Sequence, residues 1–251
     1  MGNALRKPDT IDVTPAFTQA DADALNARFD GVDAPTMLSA LFGEGLLGKT
    51  AVVSSFGTES AVLLHLVAKA DPTVPVVFVD TLKMFPETLA YRDTLVATLG
   101  IENSCTVEPD PAAIAGQDEK GMRWSYDPDG CCEIRKVEPL ARAKVGLDSW
   151  ISGRKAFQSQ TRQNIARFEV EDGRMKVNPL GDWVKSDLET YFGQHDLPRH
   201  PLEAQGYPSI GCQPCTSKVM PGEDPRAGRW RGWDKVECGI HVSTPGEDPI
   251  F

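Results

Sequence analysis

Six cysteines punctuate this chain, and four of them form two close pairs, Cys131-Cys132 and Cys212-Gln213-Pro214-Cys215. In a reducing compartment such spacing points to metal binding or catalysis before disulfides. Four thiolates suit a tetrahedral zinc ion or an iron–sulfur cluster. Neighbouring residues on a helix point about 100° apart, so Cys131 and Cys132 serve one small ion awkwardly but can reach separate iron corners of a cube. Chance clustering in the core is the alternative. Lys136 stands four residues after Cys132 and shares its face if the stretch is helical. Its ammonium would then lie near a net-negative cluster, able to bridge to an anionic substrate; without a cluster it is a surface lysine.

A further cysteine, Cys238, sits in Glu237-Cys238-Gly239-Ile240-His241, within a stretch rich in Gly, Pro, Arg and Trp. Core burial does not explain a thiol there, whereas a tail thiolate can alternate between a substrate and an external reductant. His241 or the basic residues Arg226, Arg229, Arg231 and Lys235 could favour the thiolate. Trp230 and Trp233, interleaved with them, could close over a nucleotide. An idle tail cysteine is the alternative. Cys105, in the apolar stretch Cys105-Thr106-Val107, reads as a packed strand residue.

Three loops carry the remaining candidates. Ser55, Phe56, Gly57 and Ser60 lie between an expected strand, Ala51–Ser54, and an apolar helix, Ala61–Ala68. A small-residue loop entering a helix N-terminus makes an anion site, although a plain capped turn looks the same. A second expected strand, Val74–Val79, leads to Asp80 and Thr81, then Phe85-Pro86-Glu87-Thr88. Ligands of open parallel sheets bind beyond the carboxyl ends of strands, which should set this loop beside the first. Pro86 with Glu87 equally marks a helix start. The third strand, Ser149–Ser152, runs into Gly153, then Arg154, Lys155, Gln158, Ser159 and Arg162. Three cations within nine residues suit a sulfate or phosphate, with a solvated helix face as the alternative.

The elements that must position these residues read as an α/β fold, a mostly parallel sheet flanked by helices. Helical patterns over Phe17–Phe29 and Thr36–Leu47 form a lead-in, a hairpin is expected at 167–177, and Trp183–His195 reads as an amphipathic helix. At 251 residues a single domain is the default, divided into a lead-in (1–48), a nucleotide-binding core (49–205) and a cluster loop with a mobile catalytic tail (206–251). A net charge of −10 argues against nucleic-acid binding but not against small anions. No apolar run approaches the ~18 residues that span a bilayer, and no signal pattern opens the chain, so a cytoplasmic protein is expected.

Taken in order over about residues 50–241, these motifs resemble the adenylyl-sulfate and phosphoadenylyl-sulfate reductase family, a branch of the adenine-nucleotide α-hydrolase-like fold. Gly206-Tyr207, Ser209-Ile210-Gly211-Cys212 and Glu237-Cys238-Gly239 with His241 complete the match. The two cysteine pairs mark the branch that generally uses adenylyl sulfate. The resemblance therefore implies a [4Fe-4S] cluster on Cys131, Cys132, Cys212 and Cys215, and Cys238 as nucleophile. It implies thioredoxin- or glutaredoxin-dependent reduction of adenylyl sulfate to sulfite and AMP in sulfate assimilation. Lys136, Arg226 and Arg229 are expected near the sulfate or the cluster. A phosphoadenylyl-sulfate reductase, a tRNA sulfur-transfer enzyme and a non-enzymatic zinc module are the rival readings. A homo-oligomer is left open. The first loop lacks the double-glycine form of relatives that cleave ATP, which counts against that chemistry. Val242 to Phe251 extend beyond the match.

Overall fold

The computed structural model describes residues 15–158, 165–235 and 237–239. The lead-in is two short helices, each started by a side chain that takes up an orphan backbone N–H. In α1 (Gln19–Arg28) Thr18 and Asp21 cap each other's backbone, and in α2 (Ala34–Gly43) the Asp33 carboxylate accepts from Thr36 N. Ala22, Phe29, Met37, Leu38 and Leu41 from this stretch join the same apolar core as the sheet, so the lead-in is part of that core's packing.

The core alternates strands and helices: β1 (Thr50–Ser54), α3 (Ser60–Ala70), β2 (Val76–Val79), α4 (Pro86–Leu99) and β3 (Ser104–Val107). Three short helices, α5 (Pro111–Gln117), α6 (Pro128–Cys132) and α7 (Glu138–Ala143), then lead to β4 (Ser149–Ser152). The hairpin β5 (Phe168–Glu171) and β6 (Arg174–Val177) precedes the last helix, α8 (Lys185–Gln194). Strand order is β3-β2-β1-β4-β6-β5, parallel throughout except that β5 pairs antiparallel with β6. The expected strand at 74–79 is shorter, beginning at Val76, and the other expected elements stand within a few residues of their sequence limits.

β1 and β4 are central and largely buried, as a sheet covered by helices requires. Strand order reverses between β2-β1 and β1-β4, and the crevice at such a switch point is where open α/β sheets take ligands. Cys105 does lie in a strand, but β3 is the sheet edge and the thiol is exposed, so the expectation of a packed residue is corrected. Residues 206–235 and 237–239 form loops and short 3-10 turns, and Trp230 among them is buried. No helix among the described residues is long and apolar enough to cross a membrane.

Candidate active site

A cavity of about 260 Å³ opens at the carboxyl ends of β1 and β4. Ser55, Gly57 and Ser60 line it from the first loop, and Arg154, Lys155 and Gln158 from the third. Arg226, Arg229, Lys136 and Cys238 close it from the other side. Sequence segments separated by more than a hundred residues thus meet at one mouth, as the strand-end argument requires.

The first loop turns sharply because Phe56 adopts a left-handed backbone (φ 48°), an unusual choice for a bulky residue. Its ring offsets that strain by full burial, edge-on to Phe78 at 5.4 Å, and its N–H donates to Ser54 Oγ (3.2 Å). The Phe56 side chain therefore belongs to the core, and only the loop it shapes faces the cavity. Thr58 Oγ1 donates to the Pro208 carbonyl (2.9 Å), tying the loop to the segment that carries Cys212.

Glu59 sits at the N-cap of α3 without capping it. Its carboxylate instead accepts from Lys155 Nζ (2.9 Å) and Gln158 Nε2 (2.7 Å), joining the first and third loops. Lys155 is buried and also donates to the Gly153 carbonyl (3.0 Å), so its ammonium is held in the wall. Arg154 Nη1 donates to Glu169 (3.0 Å), whose same oxygen accepts from Asn178 (2.7 Å).

Not every candidate reaches this cavity with its side chain. Asp80 Oδ1 accepts from Leu82 N (2.8 Å) and shapes the turn after β2. Thr81 is buried with Oγ1 3.2 Å from Cys212 Sγ, and Phe85 packs with Leu202, Ile210 and Tyr207. Thr81 and Phe85 brace the cavity wall instead of lining it. Arg162 and His241 lie outside the described residues.

The four paired cysteines border a second, smaller cavity, together with Trp124, Arg135, Lys136 and Trp230. Cys131 and Cys132 end α6, which starts at an Asp127 side chain accepting from Gly130 N (2.8 Å). A Cβ on Gly130 would come within 2.2 Å of Asp127 Oδ2 and 2.1 Å of Arg123 Nη2, so a larger residue there would displace the Arg123–Asp127 ion pair. A π-helical turn, Glu133–Val137, follows Cys132 directly. Such wide turns recur at functional sites, and this one replaces the regular α spacing that the sequence suggested between Cys132 and Lys136.

Cys212 caps and Cys215 ends a 3-10 turn, Gln213–Cys215. The Gln213 N–H donates to the Lys83 carbonyl (2.8 Å), and Trp230 N–H to the Cys215 carbonyl (3.0 Å). Gly211 lies so close under Arg229 that a Cβ there would meet Nη2 at 2.2 Å.

Burial, then the negative charge of neighbouring thiolates, pushes the Cys131 and Cys215 thiols up to about 11. Burial likewise pushes Cys132 up to about 11, against the opposing pull of Lys136. For Lys136 itself burial acts downward, but negative charge at Cys212 and Cys238 outweighs it and holds the ammonium well above lysine's usual value. Lys136 lines both cavities, as Trp230 does, so a single cation joins the thiol quartet to the mouth holding Cys238.

The donor set is soft sulfur alone, which fits a thiolate-bound metal group. Among the described residues no three His, Cys, Asp or Glu side chains converge on one ion position.

Several ion pairs that complete the site carried no sequence signal. Arg135 and Asp118 form a buried ion pair (2.7 Å), and Arg135 Nη1 also donates to the Thr81 carbonyl (2.9 Å), linking the helix of one cysteine pair to the loop against the other. Glu237 pairs with Arg226 (3.4 Å). Lys235 pairs with Asp129 on the first turn of α6. Charge complementarity between distant segments left no spacing to read.

Residues 49–218 match the phosphoadenosine phosphosulfate reductase domain family. The chain is 51% identical over 193 residues to the adenosine 5'-phosphosulfate reductase of Mesorhizobium japonicum, covering 77% of this chain and 76% of that protein. It is 41% identical to the phosphoadenosine 5'-phosphosulfate reductase of Gloeobacter violaceus, over 77% of this chain and 83% of the relative. Among solved structures, the phosphoadenylyl-sulfate reductase of Candida auris, crystallised as a phosphate complex, superposes with a TM-score of 0.67 at 25% identity, covering 81% of this chain and 98% of that one. With a family match over residues 49–218 and 51% identity to a relative over most of both chains, this chain belongs to the phosphoadenosine phosphosulfate reductase family.

Proposed function

We propose that the chain reduces adenylyl sulfate to sulfite and AMP, with Cys238 as nucleophile and a dithiol protein, thioredoxin or glutaredoxin, as reductant in sulfate assimilation. The observation that carries this reading is the meeting of Cys238, Lys136, Arg226 and Arg229 on one wall of the cavity beyond β1 and β4. The Mesorhizobium japonicum relative, an adenosine 5'-phosphosulfate reductase by name, supports the substrate class.

The first loop and the N-terminus of α3 offer backbone N–H groups to the nucleotide phosphate. Arg154, Arg226, Arg229 and Lys136 neutralise the sulfate end, which makes AMP a better leaving group. Arg229 lines the same cavity and is held by its Nη1 donating to the Ile210 carbonyl (3.2 Å). The Cys238 thiolate attacks the sulfate sulfur, the bond from sulfur to the bridging oxygen breaks, and its electron pair leaves with AMP. The enzyme is left with an S-sulfocysteine. A reductant thiolate then attacks Cys238 Sγ, expelling sulfite, and the reductant's second thiol resolves the mixed disulfide and returns the Cys238 thiol. The dithiol supplies both electrons.

Cys131, Cys132, Cys212 and Cys215 would hold a [4Fe-4S] cluster. When bound, it supplies a fixed block of charge and a rigid frame behind Lys136.

Replacing Cys238 by Ser should abolish sulfite formation, measured with a thioredoxin-coupled assay, while iron and acid-labile sulfide stay at wild-type levels. Sulfite release by the variant would overturn the nucleophile. A second reading, with phosphoadenylyl sulfate as substrate, draws on the names of the Gloeobacter violaceus and Candida auris proteins.

A further inference from the structure

We infer that Glu237 and the substrate's sulfate compete for Arg226, so that anion binding itself repositions the neighbouring nucleophile. The inference rests on the function proposed above. Glu237 and Arg226 line the same cavity as Cys238, and their side chains are 14% and 19% exposed, so little water screens the pair. A carboxylate and a sulfate present similar oxygen pairs to a guanidinium fork, and one arginine cannot fully satisfy both.

The segment is fixed on either side of this pair. Lys235, 9% exposed, bonds Asp129 on α6, with its ammonium 5.6 Å from the Trp230 ring centre. Gly239 adopts φ 85° where a Cβ would lie 3.4 Å from Val137 Cγ2, so the chain packs against the turn that follows Cys132. Between these two anchors, Glu237 is the residue whose partner is a cation of the proposed sulfate site. When sulfate takes Arg226, like-charge repulsion drives the carboxylate away. Cys238, one residue on, must move with it. Glu237 is thus a positioning residue that weakens ground-state binding and couples it to placement of the thiol.

Two measurements test the exchange. In protein without nucleotide, iodoacetamide labelling of Cys238, read by peptide mass, should accelerate roughly threefold to tenfold in Glu237→Gln, which frees the segment and removes a negative charge beside the thiol. In an Arg226→Gln background the same Glu237→Gln change should leave the labelling rate within about twofold, because the contact it would break is already gone. In a Cys238→Ser background, which cannot turn over, adenylyl sulfate should bind roughly fivefold tighter when Glu237 is also replaced by Gln, and within about twofold of the parent for Glu237→Asp. Additive labelling effects would overturn the coupling. Equal or weaker binding in the Gln variant would overturn the competition alone. Absence of adenylyl sulfate binding in every background would overturn the functional reading and the competition with it, while the labelling cycle still reports on the pair.

Discussion

Lys136 stands where burial and charge pull in opposite directions, and charge wins. A cation kept protonated between a thiol quartet and a nucleophile is placed to stabilise negative charge developing on a transferred sulfate, where a preorganised donor is worth most. Lys136→Met should therefore lower kcat/KM by about two orders of magnitude, equivalent to ~2.7 kcal/mol, with iron content retained. Steady-state kinetics beside iron analysis checks this; unchanged kinetics would remove Lys136 from the proposed chemistry. At this scale the sequence was most informative for cysteines, since thiol spacing is a local property. It was blind to the pairings of Glu59, Arg135 and Glu237, whose partners lie 96, 17 and 11 residues away along the chain.

Elements decide how these side chains meet. The π-helical turn after Cys132 sets the relation of that thiol to Lys136, and the loop after β2 presses Thr81 against Cys212. Behind that loop, α4 is tied to the segment following α8 through His200. The His200 Nδ1 accepts from Leu202 N–H (3.2 Å), which puts the ring proton on Nε2, 3.1 Å from Thr88 Oγ1. Burial pushes the His200 pKa down to about 4 from an ordinary 6.5. With the folded value depressed, the unfolded chain takes up the proton first as pH falls. His200 therefore costs nothing near neutrality and destabilises progressively below pH 6.5, until the folded state also protonates near 4. Between pH 7 and 5.5 the loss is about 1 kcal/mol, by linkage. Urea unfolding at these two pH values should show a pH-dependent loss smaller by about that amount in His200→Gln than in the wild type. An equal loss in both would assign the acid sensitivity elsewhere.

On the scale of the whole molecule, a chain of net charge −10 gathers Lys136, Arg154, Arg226 and Arg229 at one mouth, a local field opposite in sign to the total. The thiol quartet that separates the two branches in the sequence resemblance lies behind that mouth. We expect kcat/KM for adenylyl sulfate to exceed that for its 3′-phosphorylated form by at least about tenfold, measured with one reductant at one ionic strength. The reverse order would favour the second reading.

The sequence by itself carried the parallel α/β plan, the cysteine pairs and the three strand-end loops, because strand and helix periodicities and thiol spacing are written in neighbouring residues. It misjudged Cys105, since alternation in a strand does not say whether that strand lies at the sheet's edge. Only the tertiary structure decided that Phe56, Thr81 and Phe85 brace the wall with their side chains, that Glu59 holds Lys155, and that Lys136 borders both cavities. Those outcomes depend on strand order and on ion pairs between remote segments, and Coulomb attraction acts through space without leaving a period along the chain.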